Sequence, residues 1–208
     1  MSSTNPEVNK NPDVSHQSEK LKNPNDQLNH WILNIIPKTI VYAKSLLKDP
    51  SLAEDMVQES LFRLLRNKDR YNLIEDGDKL IYRTITNLCI NHTQRNRNLA
   101  QLSGKDGDDN YIEIEDQKQI SSLDQILFKE LHHWIKEQLR ILPEMQHAAL
   151  NLRILGHSKS EIAKILEISE TNAGVLIYRA RKSLMNKFRI DYPEKYDEFI
   201  NSKCNPGA

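Results

Sequence analysis

The sequence predicts an all-α protein: two small helical domains joined by a flexible acidic linker. Three observations carry this reading. Apolar residues recur at three- and four-residue spacing over two separate stretches, beginning near Trp31 and near Leu123. Ser/Thr-x-x-Glu signatures that open helices stand at Ser51–Glu54 and Ser158–Glu161. Between the two periodic stretches, residues 99–122 carry Gly104, Gly107, many acids and little periodicity. A hydrophobic content of 38% is low for one compact body but sufficient for small bundles separated by polar segments.

Taken in order, residues 1–27 are rich in Asn, Ser, Pro, Lys and Glu and are expected to be a disordered tail. The first domain, 28–98, begins with a helix burying Trp31, Ile32, Ile35, Ile36, Ile40, Ala43, Leu46 and Leu47, with Pro37 marking a start or a kink. The second helix opens with the Ser51–Glu54 capping box and buries Ala53, Met56, Val57, Leu61, Leu64 and Leu65. Asp55, Gln58, Glu59 and Phe62 fall on its opposite face, either a solvated surface or a partner contact. Tyr71 to Lys79 reads as a loop because of Asn72, Gly77 and the neighbouring Asp residues. A third helix then buries Ile81, Thr84, Ile85, Leu88 and Cys89, and shows Lys79, Arg83, Thr86, Asn87, Ile90 and Gln94 on its other face.

The second domain, 123–188, opens with Leu123, Ile126, Leu127, Leu131, Trp134, Ile135, Leu139 and Leu142 on one face. Pro143 fits the first turn of the next helix, and Gly156 closes it. Ser158 and Glu161 then open a short helix burying Ile162, Ala163 and Leu166. A tight turn over Glu167 to Ser169 follows, and Ser169 caps a longer helix that buries Ala173, Ile177, Ala180 and Leu184. A short helix, a turn and a capped second helix make the helix-turn-helix pattern, whose second helix enters the DNA major groove. Residues 189–208 form a C-terminal extension with Tyr192, Tyr196 and Phe199 at near-helical spacing.

Charge and cysteine usage narrow the function. The chain is neutral overall, with 29 basic and 29 acidic residues, yet the charges are segregated. Lys79, Arg83, Arg95, Arg97 and Lys105 lie in a stretch without acids, and the acidic segment from Asp106 to Asp124 follows. Lys159 to Arg189 is basic again, so two basic blocks flank an acidic one. No apolar run of about 18 residues occurs, so no membrane span is expected, and Met1 to Gln27 lacks a signal-peptide core. Cys89 and Cys204 form no metal-binding pattern, and Cys89 is spaced as a core residue. A cytoplasmic protein with no metal and no cofactor is expected.

Leu142-Pro-Glu, the helix-turn-helix, and Tyr178-Arg-Ala-Arg-Lys-Ser-Leu184 together resemble the fourth domain of the extracytoplasmic-function sigma factors. Ala53-Glu-Asp-Met-Val-Gln-Glu59 and Leu80-Ile-Tyr-Arg-Thr-Ile-Thr-Asn-Leu-Cys-Ile-Asn91 resemble their second domain, in the expected order. The resemblance covers about residues 32–97 and 125–188. It implies a non-enzymatic sigma factor that binds core RNA polymerase and directs promoter recognition, DNA opening and transcription initiation. It places Asp55, Gln58, Glu59 and Phe62 on the polymerase. It places Lys79, Tyr82, Arg83, Asn87, Asn91, Arg95 and Arg97 on the minus-ten element. Ser169, Glu170, Thr171, Asn172, Val175, Tyr178, Arg179, Arg181 and Lys182 would face the minus-thirty-five element. An anti-sigma factor is the further partner it implies.

Three positions depart from the family pattern: Leu80 for a frequent Trp, Glu167 for the usual turn Gly, and Gly174-Val-Leu176 where Lys, Ser and Arg are frequent. Apolar side chains at the last site suit thymine methyls rather than guanine edges. Two other readings compete with the sigma factor. A free-standing helix-turn-helix regulator leaves the Asp55–Glu59 surface and the acidic linker without a use. A nuclease built on the acids between Asp106 and Asp116 would lack preorganised geometry.

Overall fold

The computed structural model describes residues 23–47, 49–103 and 123–204. The expected acidic linker from residue 104 onward, the tail before residue 23, and the apolar positions Leu123, Ile126 and Leu127 lie outside the described residues or side chains. Among the described residues there are eight α-helices: α1 (Pro24–Leu46), α2 (Pro50–Arg66), α3 (Leu73–Ser103), α4 (Leu123–Ile141), α5 (Glu144–Ile154), α6 (Lys159–Leu166), α7 (Glu170–Asp191) and α8 (Pro193–Cys204). One 3-10 turn, Lys68–Arg70, links α2 to α3. The all-α expectation stands.

The N-terminal domain is a three-helix bundle in which α1, α2 and α3 each pack on the other two. Asn23 caps α1, its side chain accepting from the Asn25 N–H at 3.1 Å, so the helix starts inside the stretch expected as tail. Pro37 lies within α1 and does not mark its start. The cap of α2 is Asp49, whose Oδ1 accepts from Ser51 N at 2.8 Å and Leu52 N at 3.2 Å. This corrects the Ser51–Glu54 capping box. Pro50 occupies the first helical position, which moves the boundary back by two residues, and Glu54 pairs with Lys44 instead. The core joins Ile35, Tyr42 and Ala43 of α1 to Ala53, Val57 and Leu64 of α2 and Ile81, Ile85 and Cys89 of α3. Each large aliphatic side chain there contributes roughly 1.5–3 kcal/mol through burial.

The loop expected over Tyr71–Lys79 is also corrected: α3 begins at Leu73. Gly77 is buried in its second turn beneath the Trp31 indole, whose Nε1 donates to Asp78 Oδ1 at 2.7 Å. A Cβ on Gly77 would stand 2.6 Å from Trp31 Cζ2, so this glycine provides space for a ring, not a bend. Acidic Glu75 and Asp76 in the first turn suit the positive end of the helix dipole. Thr86, expected on the outer face, is buried: its Oγ1 donates to the Tyr82 carbonyl at 2.7 Å and accepts from the Tyr42 hydroxyl at 2.8 Å.

In the C-terminal domain, α7 is the central element, packed on α4, α5, α6 and α8. Pro143 stands just before the first helical residue of α5 as its N-cap, one position earlier than expected. Gly156 closes α5 in the left-handed region (φ 98°), with Gly156 N bonded to Arg153 O and His157 N to Leu152 O at 3.1 Å each. Ile135, expected in the core, is exposed. Within the expected C-terminal extension, residues 189–191 complete α7 and Pro193–Cys204 form α8, which packs on α7. Trp134 of α4 donates to Asp191 at 2.8 Å and packs tilted against Phe188 and edge-on against Tyr192, with ring centroids 5.6 Å away in both cases.

The two domains touch. Helix α6 packs on α3, and α5 packs on α1, where Asn151 Nδ2 donates to Ser45 Oγ at 2.9 Å.

Candidate nucleic-acid interface

Three surfaces carry the residues expected to act. On α2, Asp55, Gln58, Glu59 and Phe62 are all exposed, Phe62 to 61%, around a shallow groove floored by Met56 and Leu88. Glu59 is steadied by Arg63 one turn later, Nε to Oε1 at 2.6 Å. An exposed phenyl ring beside two carboxylates, one of them held by Arg63, suits a protein contact with an apolar centre and a charged edge.

The second surface is built by the helix-turn-helix. Ser158 and Glu161 form a full capping box: the Ser158 Oγ accepts from Glu161 N at 3.2 Å, and Ser158 N donates to Glu161 Oε2 at 2.7 Å. The Ser158 backbone and hydroxyl hydrogen bonds hold the Glu161 carboxyl below the usual glutamate range. Helix α6 ends on Glu167, a non-glycine residue in the left-handed region at φ 56°, ψ 42°. That conformation costs an L-residue roughly 1–2 kcal/mol. Ser169 then caps α7, accepting from Asn172 N at 3.1 Å. Beyond it Glu170, Thr171, Asn172, Val175, Tyr178, Arg179, Arg181 and Lys182 are all exposed, while Ala173, Ile177 and Ala180 fix the helix to the core. Lys182 lies over the Tyr178 ring at 6.0 Å from its centroid. The whole set is thus presented on one anchored helix.

Residues 36–99 match the family model for Sigma-70 region 2, and residues 132–184 match that for Sigma-70, region 4. The chain belongs to the sigma-70 family. It carries the region 2 and region 4 arrangement of the extracytoplasmic-function sigma factors, and it recognises promoters for RNA polymerase at transcription initiation. No curated protein matches the sequence significantly. A solved structure of similar fold is that of the sigma factor RpoE in complex with the anti-sigma factor NepR from Bartonella quintana. It is 22% identical, with a TM-score of 0.59, over 79% of this chain and 98% of that one. Among the described residues, no helix of this sigma factor is long and apolar enough to cross a membrane.

The third surface, on α3, is divided. Asn87, Asn91 and Arg95 are exposed. Lys79 is half-buried and paired with Asp76 at 2.7 Å. Tyr82 is 2% exposed, edge-on to the Tyr42 ring (centroids 5.2 Å apart) and to His157 of region 4 (4.9 Å apart). Burial, with Asp78 adding to it, pushes the Tyr82 phenol up to about 12. Arg83 reaches region 4: its Nη2 donates to the Lys164 carbonyl at 2.8 Å, and its Nη1 pairs with Glu167 Oε1 at 2.9 Å. Arg97 pairs with Glu144 of α5. Glu144, His157 and Glu167 are residues that sequence reasoning did not connect to this surface. The available signal was Glu167, an acid at a position where the turn favours glycine.

Proposed function

We propose that this sigma factor docks on core RNA polymerase through Asp55, Gln58, Glu59 and Phe62 of α2, engages and opens the minus-ten element with α3, and reads the minus-thirty-five element with α7. The observation that supports it best is the exposure of both the α2 strip and the α7 face, each on a helix fixed by its core and its cap. Charged side chains on a rigid helix favour partner choice and register. On α7, Arg179, Arg181 and Lys182 supply phosphate contacts, and Val175 offers an apolar surface to thymine methyls. On α3, Asn87, Asn91 and Arg95 track a single strand by polar and ionic contacts. Opening then needs no chemistry, because captured bases offset lost pairing. The protein works in the cytoplasm, has no catalytic site, and takes an anti-sigma factor as its regulator. The Bartonella quintana relative, which was crystallised with one, supports that last assignment.

Run-off transcription on genomic fragments tests the reading: core polymerase should start accurately only with this chain present. Replacing Asp55 and Glu59 together by Ala should weaken capture of core polymerase roughly tenfold, which two charge contacts of about 0.7 kcal/mol each supply. A chain that neither binds core enzyme nor directs any start site would leave only ordinary duplex binding.

A further inference from the structure

We propose that the two domains form a self-locked state in which region 4 occupies part of the minus-ten face of α3, at Tyr82, Arg83 and Arg97, in place of DNA, while Asn87, Asn91 and Arg95 stay exposed. The proposal rests on the assignment of that face above. Three of its residues are engaged by region 4 in ways that resemble a nucleic acid. Arg83 receives a carboxylate from Glu167 and the carbonyls of Lys164 and Ile165 at the end of α6. Arg97 receives a carboxylate from Glu144. Tyr82 receives the His157 ring against its own. Two anionic groups on two arginines and one ring on one aromatic are the contacts a single strand would make.

The helix-turn-helix turn is the chief contact point. A glycine would adopt the left-handed conformation at position 167 without strain, yet the chain places a glutamate there, and its side chain reaches Arg83. An Arg guanidinium at the C-terminal end of α6 also meets the negative end of that helix dipole. The pairs are only partly shielded, with 28% of the Arg83 side chain and 60% of that of Glu167 exposed. Such pairs are individually weak, so the lock is reversible and yields to a competing partner. The α2 strip and the α7 reading face remain exposed in this state. Core polymerase can therefore bind the locked chain first, and separation of the domains frees α3 afterwards.

The test compares the full chain with a Glu144→Gln, Glu167→Gly variant. Glycine suits the turn, so this variant keeps the helix-turn-helix. A Glu194→Gln, Glu198→Gln variant removes the same number of charges from α8 and serves as control. Small-angle scattering gives the radius of gyration, and fluorescence anisotropy gives affinity for a random-sequence single-stranded DNA oligonucleotide. The unlocked variant should expand and bind roughly tenfold tighter, as expected if about nine-tenths of the wild-type chains are locked. The control should do neither.

Unchanged size and affinity in the unlocked variant would overturn the lock, as would an equal affinity gain in the control. Adding Arg83→Ala separates this idea from the site assignment beneath it. If Arg83→Ala weakens binding while the unlocked variant stays compact, the lock fails and the minus-ten face stands. If the chain expands but Arg83→Ala has no effect on binding, the minus-ten face is misassigned and competition with DNA falls with it.

Discussion

Regions 2 and 4 bury their polar groups in different ways. In region 2, the Tyr42 hydroxyl donates to Thr86, Thr86 donates to the Tyr82 carbonyl, and the Thr39 and Ser60 hydroxyls bond carbonyls within their own helices. Each of these four hydroxyls thus has a partner. In region 4, α5 buries Asn151, which donates to Ser45, and His147, whose Nε2 has no hydrogen-bond partner among the described residues. Their working helices differ as well. The expected DNA contacts of α7 are all exposed, whereas those of α3 are partly packed and partly tied to the other domain. The working helix of region 2 is partly engaged by the other domain, whereas that of region 4 presents its expected contacts free, above a core that buries one unpartnered imidazole nitrogen. Stability and exposure are therefore set independently in the two halves.

The largest expected effect follows from His147. Burial, reinforced by the positive charge of Arg140, lowers its pKa from 6.5 to about 4. In the unfolded chain the imidazole protonates near its ordinary value, while in the folded chain it stays neutral down to about 4. Stability is therefore fully present above pH 6.5 and is lost as the pH falls toward 4, by up to about 3 kcal/mol. His157, whose pKa burial also lowers, contributes in the same direction. Urea unfolding followed at pH 7 and pH 4.5 should show this loss in the wild type and a smaller one in His147→Leu. Equal losses would mean that the buried imidazole is not the cause. Trp31 and Trp134 place one fluorescent reporter in each domain, so the loss can be assigned to region 4.

A second substitution probes the engaged half. Gly77→Ala should destabilise region 2 by about 2 kcal/mol, because the new methyl meets a packed indole rather than open space. Helix propensity alone predicts the reverse, a gain of about 1 kcal/mol. A Trp134→Phe background leaves Trp31 as the sole reporter of the transition, and a midpoint that rises would show that the indole yields.

This contrast also separates what is legible in the sequence from what is not. The helix-turn-helix was readable because its determinants are local: the Ser158 box, the Ser169 cap, Gly156 and the apolar spacing of α7 lie within one short stretch. Region 2 was readable in its apolar stripes but not in its boundaries. Gly77 and the Asp residues signalled a loop, yet they begin a helix because Trp31, 46 residues earlier, fills the space above the glycine. Asp49-Pro50 is the stronger capping signal, because a proline at the first helical position makes Asp49 the cap ahead of Ser51. Of the interface residues, the exposed faces of α2 and α7 followed from periodicity. The packing of Tyr82, Thr86 and Arg83 did not, because it depends on contacts between distant elements.

Gly174 gives the smallest effect and the cleanest test of that distinction. It lies in α7, where a Cβ would approach only the Lys159 Cδ, at 3.3 Å. Lys159 is a flexible, half-exposed side chain that can swing aside at little cost. Propensity should therefore win here as it loses at Gly77, and Gly174→Ala should stabilise region 4 by somewhat less than about 1 kcal/mol. The weak Lys159–Glu170 pair, 3.5 Å apart, is the contact put at risk, and its loss would take back only a fraction of the gain. Chemical denaturation monitored at Trp134 in a Trp31→Phe background measures the sign directly. A lower midpoint would mean that α7 is as tightly engaged around position 174 as α3 is around position 77, and the contrast between a free and an engaged helix would then no longer hold.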